Sequence, residues 1–454
     1  MPRIDITTDL ASDPRLHAAA DVAAQLRAAG WIGYFAGGCV RDWLRGLHPK
    51  DIDIVTSATP QEIRRVFPRA QDVGEAFGVM LVRHRGFTFE VATFRSDGSY
   101  SDGRRPDEVI LHSSPEEDAA RRDFSINGMF LDPATGDVID FVGGAADLAA
   151  GLIRAIGDPA ARFGEDQLRL MRAVRFAAQT GYTIEPATWA AMCTLAPKLE
   201  TIAKERVHDE MTRFLVGPRP DEGLRLAADS GLLQVAVPAV SLASVVHAVA
   251  MLRQLRDDRI EPPGNNDDDD DPREPWRHMR DDGAHWNTPT LAWACVLHDL
   301  AYRDAEAMIE RLKMSNAHRD RILHLLADRD AHTTSLATVR DLPLAALKRL
   351  LRRPGIDEHI AHFRLHRLAS DDAVDCCRFA LRRLHEIEDA PDPADRLRPP
   401  MLLDGHALQG LGYVPGPAFK QMLELLESAQ LAGELRTRDA AVKLVRARFP
   451  LERR

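Results

Sequence analysis

Two short motifs near the N-terminus carry residue types that suit phosphate and metal chemistry. Gly37 and Gly38 precede Val40-Arg41-Asp42, and a paired-glycine turn that opens a helix can approach a phosphate chain closely. Asp51 and Asp53 follow, each bracketed by apolar residues. Alternate side chains of a strand share a face, so the two carboxylates are expected to point together and to hold Mg²⁺. Together the motifs predict two-metal nucleotidyl transfer, whereas Asp-x-Asp alone would also suit a polar edge strand or turn.

A third carboxylate is expected on a neighbouring strand to complete the metal site. Glu90 is the best candidate, because Phe89 and Val91 bracket it as apolar residues bracket the aspartates. Such a pattern is typical of a strand with one buried face. A glutamate that simply faces solvent from that strand is the alternative.

Asp166 and Arg169 form a pattern suited to reading a base. They lie three residues apart in a predicted helix from Glu165 to Arg175 and would be neighbours on one face. Cytosine and adenine present an amine donor beside an unprotonated ring nitrogen, whereas uracil and guanine present a carbonyl beside a ring N–H. An aspartate acceptor beside an arginine donor fits C and A, and each mismatched group costs about 1–3 kcal/mol. An amphipathic helix with ion pairs is the alternative interpretation.

These motifs, with further blocks at Arg121–Gly128 and Arg162–Phe176, resemble the polymerase-β-like nucleotidyltransferases. The closest resemblance is to bacterial and eukaryotic-type (class II) CCA-adding enzymes and bacterial poly(A) polymerases, and it is specific over residues 31–240. The resemblance supports Asp51, Asp53 and Glu90 as the catalytic carboxylates. It also implies nucleotide binding by Gly37, Gly38, Arg41, Arg122, Asp123, Asp166, Arg169, Arg172 and Arg175. Asp123 can orient Arg122 or hold the sugar, and the resemblance implies that Arg122 faces the nucleotide. Without the other blocks, a purely structural Arg-Asp pair at a helix start would be the alternative.

The periodicity of the chain predicts an α+β fold. A nucleotidyltransferase head with a small mixed sheet and helices is followed by an all-α C-terminal arm. Predicted strands are Ile52–Val55, Val79–Arg83, Phe87–Thr93, Val109–His112 and Val138–Phe141. Predicted domains are a catalytic head at 15–150, a helical nucleotide- and RNA-binding neck at 151–240, a variable segment at 241–285 and a helical body and tail at 286–454. The polar loop at 95–106 is expected to be flexible, and the resemblance implies that it helps to reshape the site, whereas an ordinary surface hairpin is the alternative.

The charge balance does not exclude a nucleic-acid partner. The formal net charge is -10, but part of the acidity lies in Asp267–Asp271, within a loop at 262–275 predicted to be disordered. Arginine is concentrated elsewhere, at 169–175 and 436–454. Five cysteines show neither metal-ligand spacing nor a disulfide framework. With no apparent membrane span or signal segment, the cytoplasm is the expected location.

His298-Asp299 is typical of metal-dependent phosphohydrolases, a domain that some relatives carry. Leu300-Ala301 replaces the Gly-Lys that usually follows, and further ligands are not evident at set positions. The motif is therefore expected to be a core-facing remnant in a helix from Leu291 to Leu300.

The sequence favours template-independent addition or repair of the 3′-terminal CCA of tRNA from CTP and ATP, with tRNA as partner, Mg²⁺ as cofactor and no membrane. A poly(A) polymerase is the nearest alternative, although Val73–Gly78 lacks the basic pair found there in that relative. An enzyme that adds only CC or only A is another. An inactive RNA-binding protein is a fourth possibility, which the retained carboxylates argue against. The oligomeric state stays open.

Overall fold

The computed structural model describes residues 3–4, 13–74, 78–97, 109–111, 114–260, 289–327 and 335–451, with the backbone alone at 258–260. The chain forms two compact units, Met1–Val240 with Arg311–Lys313, and Ser241–Glu310 with Met314–Arg454. The predicted flexible loop at 95–106 lies largely outside the described residues, as does the predicted acidic loop at 262–275. None of the described helices is both long and apolar enough to cross a membrane.

The first unit is built on a seven-stranded sheet. Its strands are β1 Gly33–Ala36, β2 Asp53–Thr56, β3 Gln71–Gly74, β4 Val79–His84, β5 Phe87–Thr93, β8 Phe130–Leu131 and β9 Val138–Ile139. Their order across the sheet is β3-β4-β5-β2-β1-β8-β9. Strands β2 and β5 run parallel, while the other paired neighbours are antiparallel. The mixed sheet confirms the predicted α+β class.

Three predicted strands of this sheet differ from the observed ones at their ends. β2 begins at Asp53 rather than at Ile52, so Asp51 precedes the strand, which corrects the prediction that both aspartates lie on it. β4 extends one residue further, to His84, and β9 ends earlier, at Ile139. The predicted strand from Val109 is observed to Leu111 as β7, which pairs with β6 Arg95–Asp97 in a separate ribbon.

Helices flank the sheet and begin at strong local signals. They are α1 Pro14–Ala28, α2 Gly38–Leu44, α3 Pro60–Val66, α4 Pro115–Ala120 and α5 Gly144–Ala149. Thr59 with Glu62 forms a capping box at α3, and Ser114 with Glu117 forms one at α4. Each box satisfies two backbone N–H groups that have no partner within the helix. These caps determine where the chain leaves the sheet and enters a helix.

The rest of the first unit is mainly helical. It contains α6 Pro159–Glu165, α7 Leu168–Thr180, α8 Pro186–Leu195, α9 Lys204–Leu215, α10 Pro220–Asp229 and α11 Leu232–Ala236, with the two-residue strands β10 Leu152–Ile153 and β11 Thr183–Ile184. The parallel β10–β11 pair is an exception to the prediction that everything after residue 151 is helical. Helix α7 packs against α9 and α10, and its buried face includes Leu170, Val174 and Ala178.

The second unit contains only helices among its described residues. They are α12 Leu242–Ile260, α13 Pro289–Leu297, α14 Tyr302–Arg311, α15 Asn316–Ala327, α16 Leu344–Leu351, α17 Ile356–Ala369, α18 Asp375–Glu388, α19 Gly405–Gly410, α20 Pro417–Leu431 and α21 Arg438–Arg448. One core joins α16, α17 and α18 around Leu351, Ile360 and Leu381. A second core joins α19, α20 and α21 around Leu408, Leu426 and Val445. The predicted all-helical arm is confirmed.

Candidate nucleotide-binding site

A cavity of about 520 Å³ opens in the first unit between the sheet and helix α7. Its lining includes Gly37, Gly38, Arg41, Asp53, Arg121, Arg122, Asp123, Asn127, Asp166, Leu168, Arg169, Arg172, Arg175, Phe176 and Arg206. The tertiary structure thus brings together every predicted nucleotide-binding residue with one of the predicted carboxylates. Arginine predominates in the lining, as a ligand with several negative charges requires.

The glycine turn lies directly beside the first carboxylate of β2. Ala36, the last residue of β1, pairs with Asp53, and Gly37 follows with φ of 73°. A side chain at this position would place its Cβ 3.0 Å from Nη1 of Arg122. Gly37 is therefore required both by the left-handed backbone and by the close approach of an arginine.

A buried aspartate that the sequence analysis did not identify orients two arginines of the cavity. Asp118 accepts hydrogen bonds from Nη2 of Arg121 at 2.6 Å and from Nη2 of Arg122 at 3.0 Å. Burial alone would raise the pKa of Asp118, but the Arg122 and Arg121 guanidiniums hold this pKa below its ordinary value. Charge-assisted bonds of this kind fix an arginine fork for its ligand.

Asp123 is paired with Arg172 rather than with Arg122, which corrects the expectation that it orients its neighbour in sequence. Nε of Arg172 donates to Asp123 at 2.8 Å, and Nδ2 of Asn127 donates to the same carboxylate at 3.2 Å. Burial acts against ionisation, yet Arg172 and the hydrogen bonds lower the pKa of Asp123 to about 2. The side-chain oxygen Oδ1 of Asn127 accepts a hydrogen bond from Nη1 of Arg41 at 2.9 Å. One connected network therefore holds Arg41 and Arg172.

The guanidiniums of three arginines of the cavity lie against the ring of Phe176. The guanidinium carbons of Arg41, Arg172 and Arg175 lie 5.4, 5.3 and 4.1 Å from its ring centroid. Such contacts stabilise cations that are partly removed from water. Arg175 is also held from behind by Glu210, to which its Nε donates at 2.6 Å. The guanidiniums are thus positioned before any ligand arrives.

Asp166 lies between two helices, not within one. Helix α6 ends at Glu165 and α7 begins at Leu168, which corrects the prediction of a continuous helix from Glu165. The two base-reading candidates stay adjacent because the backbone N–H of Arg169 donates to the carbonyl of Asp166 at 3.0 Å. Outside the helix, the Asp166 carboxylate accepts from the backbone N–H of Leu168 at 3.0 Å.

Both base-reading candidates are held by other side chains. Nη2 of Arg206, on α9, donates to Asp166 at 3.2 Å. Arg169 donates to Glu165 and to the carbonyls of Arg162 and Arg121, the last two at 2.9 and 3.1 Å. These bonds use its Nη1 and one N–H of Nη2, so the Nε–H and the second Nη2–H have no hydrogen-bond partner among the described residues.

The three predicted metal-binding carboxylates lie on the neighbouring strands β2 and β5 or just before β2. Asp53 and Glu90 precede the paired residues Ile54 and Val91 of parallel strands β2 and β5. Partial desolvation, together with the Glu90 carboxylate, raises the pKa of Asp53. Asp51 is bound by Arg15, whose Nη2 lies 3.0 Å from its Oδ1. The all-oxygen donor set suits a hard divalent cation.

Besides Leu168, the residues of the site that were not predicted are Asp118, Arg121, Asn127, Phe176 and Arg206. Arg121, Asn127 and Phe176 lie inside motif blocks recognised in the sequence, so their position was the available signal. Asp118 precedes Arg121 and Arg122 by three and four residues, and this helical spacing was a local signal. Arg206 lies in the segment Lys204–Glu210, which resembles the family helix that supports the base-reading helix, but only the packing of α9 brings it to Asp166.

Comparisons with known proteins agree with this geometry. The family profile described as "Poly A polymerase head domain" matches residues 33–154, and "Probable RNA and SrmB- binding site of polymerase A" matches residues 181–243. The CCA-adding enzyme of Latilactobacillus sakei is 33% identical over 441 residues, which are 95% of this chain and 98% of that enzyme. The CCA-adding enzyme of Geobacillus thermodenitrificans is 36% identical over 339 residues, 74% of this chain and 76% of that enzyme. The Bacillus stearothermophilus CCA-adding enzyme, solved in complex with CTP, matches with a TM-score of 0.69 and 27% identity, covering 96% and 99% of the two chains.

The fold and the site define a nucleotidyltransferase with a head of the poly(A) polymerase type. Given the relative matched over nearly its whole length, the chain belongs to the CCA-adding enzyme family. Enzymes of this family use a divalent metal ion. The resemblance inferred from the motifs is confirmed.

Proposed function

We propose that this chain adds or repairs the 3′-terminal CCA of tRNA from CTP and ATP without a nucleic-acid template. The observation that carries the proposal is that three groups line one cavity. They are the candidate metal-binding carboxylate Asp53, a set of arginines fixed by hydrogen bonds, and the pair Asp166 and Arg169. The activity is proposed to take place in the cytoplasm. We assign residues 15–150 to the catalytic head, 151–240 to a nucleotide- and RNA-binding neck and 286–454 to a tRNA-binding body, joined by a variable segment at 241–285.

Asp166 and Arg169 are proposed to select the base. Asp166 has lone pairs beyond those used by Leu168 and Arg206, so it can accept the exocyclic amine of C or A. The remaining N–H groups of Arg169 can donate to the unprotonated ring nitrogen. A uracil or guanine would set carbonyl against carboxylate and N–H against N–H. With two mismatched groups at about 1–3 kcal/mol each, rejection is expected to reach at least about 30-fold.

The arginines are proposed to bind the triphosphate. Arg122 lies against Gly37 and is oriented by Asp118, and Arg41 is oriented by Asn127. Gly37 and Gly38 leave room for phosphate oxygens beside these side chains. Arg172 and Arg175, stacked on Phe176, supply further positive charge to the same cavity. Because the guanidiniums are already fixed, little side-chain entropy is lost when the nucleotide binds.

Asp51, Asp53 and Glu90 are proposed to hold Mg²⁺, which when bound would activate the primer hydroxyl and neutralise charge on the leaving pyrophosphate. The carboxylates offer the oxygen ligands this ion prefers. In the reaction, the 3′-oxygen of the tRNA bonds to the α-phosphorus and the bond to pyrophosphate breaks. Asp51 must exchange its ion pair with Arg15 for the metal.

Extension of a tRNA transcript that lacks its CCA end tests the proposal. The transcript is incubated with Mg²⁺ and each NTP singly and together, and products are resolved at single-nucleotide length. We expect growth by CCA and then a stop. Addition of CC or of A alone would indicate a split activity, and a long A tail would indicate a poly(A) polymerase.

The variant D53N is the matched test of catalysis. It is expected to abolish extension while tRNA binding is retained, whereas D229N, which changes an exposed aspartate paired with Arg225 in the same unit, is expected to extend normally. A wild-type chain that binds tRNA but never extends it would overturn the proposal in favour of an RNA-binding protein.

A further inference from the structure

Four histidines gather at one place in the second unit. His247 lies on α12, His298 directly follows α13, and His362 and His366 lie one turn apart on α17. These three helices pack against one another. His298 is half-buried beside an exposed Asp299, which corrects the prediction that this pair is a core-facing remnant within the helix.

The rings are close enough for their nitrogen atoms to share a ligand. The ring of His298 lies 5.1 Å from that of His247 and 4.6 Å from that of His366, centroid to centroid. Nδ1 of His366 lies 3.1 Å from Nε2 of His247. One nitrogen from each of these three rings lies within 4.8 Å of the other two.

Asp299 orients the first histidine from outside the group. Its two carboxylate oxygens lie 2.9 and 3.1 Å from Nδ1 of His247. An ionised carboxylate can only accept a hydrogen bond, so His247 carries its hydrogen on Nδ1 and directs the lone pair of Nε2 toward His366. Carboxylates that bond the outer nitrogen in this way are characteristic of histidines that bind metals.

We propose that His247, His298 and His366 form a binding site for one divalent transition-metal ion of the zinc class. The hydrogen that now lies between Nε2 of His247 and Nδ1 of His366 would move to Nε2 of His366, so both facing nitrogens would offer lone pairs. A tetrahedral ion with bonds of about 2.0–2.1 Å requires nitrogen atoms about 3.3 Å apart. The 3.1 Å between Nε2 of His247 and Nδ1 of His366 nearly meets this requirement. The ligand nitrogen of His298, now within 4.8 Å of the other two, has to approach by about 1.5 Å, which is within reach of side-chain rotation.

The donor set determines which ions the site accepts. Imidazole nitrogen favours Zn²⁺, Ni²⁺, Cu²⁺ and Co²⁺ over the hard ions Mg²⁺ and Ca²⁺. Mg²⁺ at the carboxylates of the head is therefore not expected to compete. His362, whose Nε2 lies 3.3 Å from Nδ1 of His298, supports the ring of His298 from behind. The ion would join α12, α17 and the residues after α13.

Zinc titration of the chelator-treated full-length chain, by calorimetry in excess Mg²⁺, tests the site without reference to nucleotidyl transfer. We expect one Zn²⁺ per chain, and a rise of about 5 °C in the melting temperature at saturating Zn²⁺. H247Q/H366Q is expected to lose this binding, and D299N to weaken it at least about 10-fold. H406Q changes an exposed histidine of the same unit and is expected to bind as the wild type does.

Two results would overturn the proposal. One is a wild type that binds Zn²⁺ no better than H247Q/H366Q in Mg²⁺. The other is binding that is lost in C376S/C377S, because these adjacent thiols are an alternative zinc ligand pair. Should H247Q/H366Q fail to fold, the visible spectrum of the Co²⁺-loaded wild type decides: a tetrahedral spectrum without the charge-transfer band of a thiolate supports the histidine site, and its absence or a thiolate band contradicts it.

Discussion

Arg206 on α9 donates from Nη2 to Oδ2 of Asp166 across 3.2 Å, and this bond holds the proposed base-reading carboxylate outside either flanking helix. Asp166 occupies an extended backbone between α6 and α7, so no helical hydrogen-bond ladder fixes it. Arg206 therefore acts as a positioning residue in the proposed mechanism. It couples the choice of nucleotide to the packing of α9 against α7.

We expect R206M to relax nucleotide selection. Without the ion pair, the Asp166 carboxylate can rotate, so the preference for CTP over UTP is expected to fall about 10-fold, the value of one hydrogen bond to a charged group. The ratio of kcat/KM for the two nucleotides on a tRNA transcript lacking its CCA end measures this. R225M removes an exposed arginine of the same unit and should keep the ratio. An unchanged ratio in R206M would exclude the positioning role.

We expect G37A to impair catalysis much more than G46A. Both glycines have a positive φ, of 73° and 72°, so alanine strains the backbone at each, and more at Gly37, whose ψ of -124° lies outside the left-handed helical region. Only at Gly37 would the new Cβ meet Arg122, at 3.0 Å, while Gly46 has no atom within 4 Å of that position. Under conditions in which urea unfolding shows both variants to be folded, kcat/KM should fall at least about 10-fold in G37A alone. Equal activity in both would show that the contact with Arg122 is unimportant.

We expect R15M to lower the Mg²⁺ concentration needed for half-maximal activity. Arg15 occupies Asp51, and an exposed pair of this kind contributes at most about 1 kcal/mol, so the gain is limited to about 5-fold. A titration of extension rate against Mg²⁺ measures the change. The control is R27M, because Arg27 lies on the same helix as Arg15 and its replacement breaks a different pair, with Asp132. A higher Mg²⁺ requirement in R15M would indicate that Arg15 supports the metal site instead.

We expect Asp123 to make the first unit sensitive to acid. Its pKa is about 2 in the folded chain against an ordinary value of 3.8. Because the folded pKa is the lower one, its stabilisation of about 2 kcal/mol is complete above about pH 5 and is lost as the pH falls from about 4 to 2. Urea unfolding measures the free energy of unfolding of the wild type and of D123N across this pH range. The difference between the two proteins should shrink by about 2 kcal/mol as the pH falls. D229N should differ little from the wild type at any pH, and a difference between wild type and D123N that is independent of pH would contradict the assigned ion pair.

The α+β class, the helical arm and most of the residues that line the candidate nucleotide-binding cavity could be predicted from the sequence. Local patterns carry this information, because strand alternation, capping boxes and glycine turns are encoded within a few residues of one another. Glu90 was placed beside Asp53 for the same reason, since both lie at equivalent points of apolar strands. The ends of these elements were less predictable: Asp51 falls before β2, and Asp166 falls between α6 and α7.

Only the tertiary structure decided which side chains hold the functional ones. Asp123 binds Arg172 and Arg206 holds Asp166, at separations in sequence of 49 and 40 residues. By contrast, Asp118 and Arg122 are only four residues apart, a spacing that the sequence itself displays. The histidine cluster joins positions on α12, on α17 and just after α13, and the sequence predicted a buried remnant there. Ion pairs and metal sites of this kind depend on distances of a few ångströms between segments whose relative placement is determined by core packing. That packing is a property of the whole unit, and no local pattern in the chain reports it.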